Sequence, residues 1–318
     1  MVICFSKKAA RRGGLFVLAW LLIGCATQPN IAAIRVNNPA LPGRVELAAV
    51  PFFPQEEFQC GPAALATVLN WSGVATDANA LKPMMYLPSK QGSLQTELMA
   101  TARRHGRVAY RLKPEFEDLL AEVAAGNPVV VLQNLALSWY PVWHYAVMVG
   151  FDLERKELIL RSGTYKRLIT PMRVFNNTWR RAGQWSIVAM LPQVLPETAE
   201  REPYLDAVAA LELSQQWQAM REAYQQALER WPGALIAQIG LGNSYYQTGD
   251  LAASETAYRH AIANHADSAA ALNNLAQVLA DQNRVPEAIE YARTAVSLGG
   301  PFQATAKQTL AEILARQQ

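Results

Sequence analysis

Cysteine is scarce in this sequence. The 318 residues contain three cysteines, Cys4, Cys25 and Cys60. At most one disulfide can form within the chain, which excludes the small scaffolds that depend on several disulfides. A hydrophobic core must stabilise the fold instead, and the length allows two domains of roughly 100–200 residues each.

An excess of positive charge is also missing from most of the chain. Four of the 29 Lys and Arg residues precede Cys25, where there is no Asp or Glu. They are Lys7, Lys8, Arg11 and Arg12. The other 25 bases accompany 26 acids, so the remainder is near neutral. We therefore predict no nucleic-acid partner, because such proteins usually carry a basic surface.

The hydrophobic run near the N-terminus is too short to cross a bilayer. It covers residues 15–23, whereas a spanning helix needs about 20 apolar residues. A basic head before a short apolar run is typical of a cleaved signal peptide. The end of the run, LLIGC, resembles the bacterial lipobox. This resemblance implies a lipoprotein signal peptide over residues 1–24, with the lipid on Cys25.

The residue after the lipobox bears on the location. Ala26 stands where many lipoproteins of the inner membrane have Asp. By this resemblance we expect a lipid anchor on the periplasmic face of the outer membrane of a Gram-negative bacterium, so that the membrane is one partner. An uncleaved anchor and an ordinary signal peptide with a chance cysteine remain alternatives.

On this prediction Cys60 has no cysteine to pair with. A free thiol is unusual in the periplasm, because that compartment oxidises thiols. Cys60 lies in the stretch PQEEFQCGPAALATVL, immediately before a helical apolar pattern. A buried, chemically inert cysteine is the common alternative.

Composition divides the chain into four parts after the signal. Residues 25–46 contain Pro and Asn without a sustained period and are predicted to be a tether. Residues 47–193 combine helical and strand-like patterns, and we predict an α+β domain with a largely antiparallel sheet. Residues 194–202 are a linker rich in proline and acids. Residues 203–318 are rich in Ala, Gln and Leu and show no strand pattern.

Several elements of the first domain can be placed from the sequence. Apolar spacing and glycines near the ends predict helices. Runs of apolar and β-branched residues predict strands. The predicted helices cover residues 60–71, 93–105 and 115–125, and the predicted strands cover residues 107–112, 128–133, 143–151, 157–161 and 185–192.

The C-terminal part contains an internal repeat of 34 residues. Three columns of residues recur at this spacing, one of them being Tyr224, Tyr258 and Ala292. The period and the Leu241–Gly242 pair resemble the tetratricopeptide repeat. We predict about three helix pairs and a cap helix over residues 303–316, although an Ala-rich bundle is an alternative. Such repeats present a surface for a peptide or protein partner.

A cysteine at the start of a helix suits nucleophilic catalysis. The thiolate is the nucleophile, and the unpaired N–H groups and dipole of a helix N-terminus stabilise it. Gly61 would let a substrate approach the backbone. The reaction also needs a base, and His144 at the head of the strand-like run WHYAVMVGF is the best candidate. His105, His260 and His265 are better explained as surface or packing residues.

The Cys-Gly-Pro and His-Tyr-Ala-Val motifs, about 85 residues apart, resemble the cysteine peptidases that trim double-glycine leaders from bacteriocins. They also resemble the stand-alone papain-fold relatives of those enzymes. This implies an α+β papain-like cysteine peptidase domain followed by an all-α tetratricopeptide-repeat domain. Cys60 would be the nucleophile, His144 the acid and base, and Gln55 an oxyanion donor, with Gln59 closer to the helix entrance.

The third member of the catalytic group departs from the family pattern. An Asp or Asn that orients the histidine is expected on the following strand, but LILRSGT contains neither. Ser162 and Asn134 are the candidates for this role, while Asp152 is too far along the strand that carries His144. No metal or cofactor is expected.

Three functions are compatible with these motifs. The first is a lipid-anchored periplasmic cysteine peptidase that hydrolyses peptide or amide bonds through an acyl-enzyme, with repeats that bind a substrate or partner. The second is a catalytically weakened domain that serves as a peptide-binding scaffold. The third is an acyltransferase that passes the acyl group to an amine.

Overall fold

The computed structural model of the protein describes residues 29–55, 59–90 and 92–316. The predicted α+β domain followed by helical repeats is confirmed. The predicted lipidation site, Cys25, lies outside these residues. Within the described ranges, no helix has the length and apolar character needed to span a membrane.

Short helices and strands form the first domain. Its helices are α1 (Ile31–Asn37), α2 (Cys60–Trp71), α3 (Ala78–Met85), α4 (Gln95–Arg104), α5 (Phe116–Ala124) and α6 (Met172–Arg180). Its strands are β1 (Arg44–Glu46), β2 (Tyr86–Leu87), β3 (Gly92–Ser93), β4 (Val108–Arg111), β5 (Val129–Asn134), β6 (Trp143–Asp152), β7 (Glu157–Ser162), β8 (Tyr165–Pro171) and β9 (Ser186–Met190). A 3₁₀ turn covers Pro88–Lys90.

Seven of the strands form one antiparallel sheet. The order is β4-β9-β5-β6-β7-β8, and β1 pairs with the end of β6. Strands β2 and β3 form a separate two-stranded sheet. The register pairs Gln133 of β5 with His144 of β6, while Val147 of β6 pairs with Arg161 of β7.

The alternation of side chains along the strands builds a core on each face of the sheet. Val130 and Val147 pack on one face with Leu65 and Leu69 of α2. Val131 lies on the opposite face, in a second core that includes apolar residues of α5 and α6. Helix α2 is buried along most of its length and ends at Trp71. Ser72 caps it, and the following Gly73 takes a left-handed φ of 87°.

The segment predicted to be a tether is partly folded. Helix α1 buries Ile34 in the second core, and β1 extends the sheet by pairing Val45 with Phe151. Gly150 makes this approach possible, because a Cβ there would lie 2.6 Å from the carbonyl oxygen of Val45. Residues of the predicted tether therefore pack against the domain that is predicted to begin at residue 47.

The C-terminal part of the described chain consists of helices α7 to α13. They are α7 (Arg201–Ala209), α8 (Trp217–Arg230), α9 (Leu235–Gln247), α10 (Leu251–Asn264), α11 (Ala269–Asp281), α12 (Val285–Ser297) and α13 (Gln303–Ala315), with a 3₁₀ turn at Glu212–Ser214. Helices α7 to α12 follow one another in three successive pairs, and α13 is the last helix of the described residues. Small residues allow close packing: a Cβ on Gly242 would lie 2.5 Å from the ring of Tyr258.

The predicted linker is fixed against the first domain. The fully buried Glu122 accepts hydrogen bonds from Thr198 N at 2.8 Å and Thr198 Oγ1 at 2.6 Å. Tyr110 donates its hydroxyl hydrogen to Thr198 O and accepts from Glu200 N, both at 3.2 Å. The second core continues from the sheet into α7 and α8 through residues such as Tyr204 and Tyr224. One of the two cores of the first domain therefore continues into the first helices of the C-terminal part.

Candidate active site

Cys60 is the first residue of α2, as the sequence predicts. It is partly buried, and its N–H belongs to the first four of the helix, which lack intrahelical acceptors. Burial raises the pKa of Tyr145, and negative charge on Cys60 raises it further. Cys60 and Tyr145 are therefore close enough for their charges to interact.

Gly61 has a packing role that differs from the predicted one. A Cβ on Gly61 would lie 2.8 Å from both Cβ and Oγ of Ser93 in β3. Its neighbour is thus the small sheet and not a free space for substrate. The carbonyl of Ser93 accepts from Tyr145 Oη at 3.3 Å, so these contacts tie the start of α2 to β3 and β6.

His144 lies near the start of β6 and is half-buried. Its Nε2 is 2.8 Å from Ser162 Oγ at the end of β7. Burial lowers the pKa of His144 below the ordinary histidine range, which favours the neutral imidazole. Among the described residues, His144 Nδ1 has no hydrogen-bond partner and Cys60 is not hydrogen-bonded to His144.

Cys60, His144 and Gln55 line one cavity of about 940 Å³. Apolar side chains, including Leu94, Leu132, Val142 and Trp143, form much of its wall. Within the described part of the chain, no Asp, Glu, Lys or Arg lines this cavity. Such a wall suits an uncharged group, because an unpaired charge would lose its hydration there.

Gln55 is held between two strand ends. Its Nε2 donates to Tyr145 O at 3.2 Å, and its backbone N donates to Gly163 O at 3.0 Å. Gln59, the other glutamine considered, is buried and donates to Asn79 Oδ1 at 3.3 Å. The structure therefore brings Gln55, and not Gln59, to the wall of the cavity that Cys60 and His144 share.

Of the two residues considered as partners for the imidazole, the structure brings Ser162 to His144. Asn134 is buried and faces the loop of residues 135–142 instead. Its Oδ1 accepts from Ala136 N at 3.1 Å and Val142 N at 3.0 Å, and its Nδ2 donates to Leu137 O at 3.3 Å. Asp152 lies at the far end of β6, as expected.

Arg161 is a residue whose importance the sequence did not reveal. It is 4% exposed and donates to Ala48 O at 3.2 Å, Val50 O at 3.1 Å and Lys166 O at 2.6 Å. It thereby fixes the segment that leads to Gln55 and the turn that follows Ser162. The sequence signal for this role was a single arginine that follows the apolar residues LIL in the strand ELILRS.

The remaining histidines lie outside this cavity. His105 Nδ1 is 2.8 Å from Thr101 O at the end of α4, and His265 Nε2 is 2.9 Å from Gly233 O in the repeats. No group of three or more His, Cys, Asp or Glu residues suited to a metal occurs in the described ranges.

Two family models match the sequence. The Peptidase_C39 like family matches residues 47–187, and the tetratricopeptide repeat matches residues 204–259 and 240–304. The chain carries a Peptidase_C39-like domain followed by tetratricopeptide repeats. Among curated proteins, none matches the sequence significantly.

Solved structures resemble each part separately. A chain described as a C39-like peptidase from Bacillus anthracis is 20% identical, with a TM-score of 0.39, over 47% of this chain and 98% of that chain. The peptidase domain of Streptococcus ComA, a bifunctional ABC transporter, is 20% identical, with a TM-score of 0.36, over 44% of this chain and 98% of that chain. The Yersinia enterocolitica chaperone SycD, in complex with a YopD peptide, is 13% identical, with a TM-score of 0.34, over 36% of this chain and 92% of that chain. The Peptidase_C39-like assignment rests on the sequence match.

Proposed function

We propose that the protein is a cysteine peptidase that hydrolyses peptide bonds through an acyl-enzyme on Cys60, with repeats that bind a peptide or protein. The observation that carries this proposal is the shared cavity. Cys60 at the start of α2 and His144 near the start of β6 line it together, and Ser162 fixes one imidazole nitrogen at 2.8 Å.

The reaction follows from the arrangement of these groups. His144 Nδ1 takes the thiol proton, and the Cys60 sulfur attacks the carbonyl carbon to form a tetrahedral intermediate. His144 then gives the proton to the leaving amine, which breaks the peptide bond and leaves a thioester. Water, deprotonated by His144, attacks the thioester, and the thiol and a carboxylic acid are released.

Gln55 and the N–H of Cys60 are the proposed donors to the oxyanion. The carboxamide of Gln55 has two N–H groups, and the bond to Tyr145 O at 3.2 Å occupies one of them. That bond sets the plane of the amide, so the second N–H is available for the intermediate. Such donors act most strongly when they are oriented before the reaction.

A second candidate function is a peptide-binding scaffold with weakened chemistry. Ser162 supplies a neutral hydroxyl at the place where the resemblance implies Asp or Asn, and an imidazolium gains less from a hydroxyl than from a carboxylate. The thiol of Cys60 also has no hydrogen bond to His144 among the described residues. Both observations favour a slow enzyme or an inactive relative.

Thiol labelling separates these candidates. Purified protein is treated with iodoacetamide from pH 5 to 9, and the rate is compared for the wild type, His144→Ala and the control His105→Ala. We expect His144→Ala to slow labelling below pH 7 by about 10²-fold, the lower end of the range for a general base. The control should behave as the wild type. Equal rates for all three proteins would exclude the peptidase and leave the scaffold.

We also propose that Cys25 carries a lipid that attaches the protein to the periplasmic face of the outer membrane. The LLIGC motif and Ala26 support this. Mass spectrometry of the N-terminal peptide from the full-length precursor expressed in a Gram-negative host should show a diacylglycerol on Cys25, and Cys25→Ser should abolish it. Recovery of the unmodified, uncleaved N-terminus would overturn the proposal.

A further inference from the structure

The repeats contain a polar pocket remote from Cys60. Its volume is about 240 Å³, and it lies between α9, α10, α11 and α13. Side-chain amides and tyrosines form most of the wall. The amides come from α9 and α11, and they are Asn243, Gln247, Asn273, Asn274 and Gln277.

Hydrogen bonds orient these amides and leave particular atoms unused. Asn243 Oδ1 accepts from Tyr258 Oη at 2.6 Å and from Asn274 Nδ2 at 3.2 Å. Asn273 Nδ2 donates to Asn274 Oδ1 at 3.3 Å. In the described part of the chain, Asn273 Oδ1 is buried without a partner, and Asn243 Nδ2 donates to no protein group.

The unused groups match the main chain of a peptide. A buried acceptor without a partner costs about 1–3 kcal/mol, so Asn273, which is only 6% exposed, requires an explanation. Asn273 lines the pocket, so a turn of its side chain toward a bound segment brings Oδ1 to an incoming N–H and satisfies it. The free N–H groups of Asn243 can donate to a carbonyl, so the pocket offers both an acceptor and a donor to one extended segment.

Among the described residues, the wall of the pocket carries a negative charge and no positive charge. Glu212, an exposed residue of the 3₁₀ turn, is the one charged residue among the described residues that line it. Asp281 is nearby, where it accepts from Tyr246 Oη at 2.7 Å, and it is paired with Arg316 at 2.6 Å. A positively charged group at the rim therefore finds the carboxylate of Glu212 unopposed by a base that lines the pocket.

We propose that this pocket binds an extended peptide segment through its main chain and that Glu212 selects an ammonium group on that segment. The ammonium group belongs to a lysine side chain or to a free N-terminus. The inference rests on the peptide-binding role proposed for the repeats and does not depend on the chemistry of Cys60.

Three short peptides test the preference. Acetyl-Gly-Gly-Lys-Gly-Gly-amide, its Glu counterpart, and Gly-Gly-Gln-Gly-Gly-amide with a free N-terminus are titrated into ¹⁵N-labelled full-length Cys60→Ala protein, which cannot form an acyl-enzyme. We expect the side-chain amide signals of Asn243 and Asn273 to shift. At least one ammonium peptide should have a Kd about threefold or more below that of the Glu peptide, since an exposed ion pair contributes modestly. Of the Lys peptide and the peptide with a free N-terminus, the one with the lower Kd identifies the source of the ammonium group.

Two variants locate the effect. Glu212→Gln should remove the preference for the ammonium group and retain binding, whereas the surface control Glu229→Gln should change neither. Asn273→Leu should weaken all three peptides about tenfold while the melting temperature shows that the repeats remain folded. Equal affinities for the Lys, free N-terminal and Glu peptides, a preference that survives Glu212→Gln, or amide signals that do not move would each overturn the inference.

The outcomes are distinct from those of the peptidase proposal. Loss of peptide binding with His144-dependent thiol labelling would contradict this inference alone. Normal peptide binding with labelling that ignores His144 would contradict the peptidase alone.

Discussion

The hydroxyl oxygen of Ser162 lies 2.8 Å from Nε2 of His144 across the neighbouring strands β6 and β7. A hydroxyl can fix the plane of the ring and the position of its proton, but it brings no negative charge. Burial meanwhile lowers the pKa of His144. The site therefore contains a neutral imidazole at neutral pH, which can act as a base for a thiol but is a poor partner for a thiolate.

We expect Ser162→Asp to raise the pKa of His144 by about 1–2 units, because an adjacent negative charge favours the imidazolium. The C2–H signal of His144, followed by NMR against pH, measures this directly. The wild type should titrate below the ordinary value of about 6.5. Iodoacetamide labelling of Cys60 at pH 6 should become faster in the variant, because the imidazolium stabilises a thiolate.

Ser162→Ala is the matched control for that experiment. It removes the hydrogen bond without adding charge, so the ring loses its orientation and labelling should slow. A His144 titration that is identical in the wild type, Ser162→Ala and Ser162→Asp would contradict the assigned contact.

Gln55→Ala should lower kcat for any peptide substrate by about 10²-fold, the lower end of the range for an oxyanion donor. The rate of thiol labelling should stay within about twofold, since alkylation forms no oxyanion. Gln59→Ala is the comparison, because Gln59 donates to Asn79 and is not among the described residues that line the cavity of Cys60 and His144. A larger loss of kcat in Gln59→Ala than in Gln55→Ala would reverse the assignment.

Asn134→Ala should destabilise the protein by about 1–3 kcal/mol, because the backbone N–H groups of Ala136 and Val142 both lose their acceptor and each such hydrogen bond contributes about 0.5–1.5 kcal/mol. Urea denaturation measures this change. The titration of His144 should be unaltered, since Asn134 bonds to the loop of residues 135–142. A shift in the pKa of His144 equal to that of Ser162→Ala would instead make Asn134 an orienting residue.

Gly242→Ala should destabilise the repeats by about 1–3 kcal/mol, the usual cost of overpacking. The new Cβ would lie 2.5 Å from the buried ring of Tyr258, which is hydrogen-bonded and cannot easily move. Thermal denaturation monitored by circular dichroism gives the change. Gly233→Ala is the control, because no atom lies within 4 Å of a Cβ placed there. Equal effects of the two substitutions would contradict the packing argument.

Much of the fold could be predicted where the pattern of apolar residues was strong. Helix α2 has the predicted bounds, and the five predicted strands occur with ends shifted by a few residues. Strand β8 was missed, because it is a polar edge strand with the sequence YKRLITP and all of its residues are exposed or half-buried. Helix α1 and strand β1 were missed because they are short and have few buried apolar residues.

The site was predictable only in part. The spacing of sequence motifs indicated Cys60 and His144 without any knowledge of the fold. The choice between Ser162 and Asn134 depended on strand register, and the pairing of β7 with β8 is irregular between Leu160 and Ser162. A shift of one residue turns a side chain to the other face of a sheet, so sequence spacing could not decide it.

The shared core has a mechanical consequence. Tyr110 of the sheet and Tyr204 of α7 have ring centroids 6.3 Å apart. Glu122 accepts a hydrogen bond from Thr198 in the segment that joins the two domains. Flexible linkers let neighbouring domains rotate, whereas a large apolar interface prevents it. The repeats are thus joined to the peptidase-like domain without a hinge. A peptide bound by the repeats, as proposed, would therefore keep a fixed orientation relative to the domain that contains Cys60.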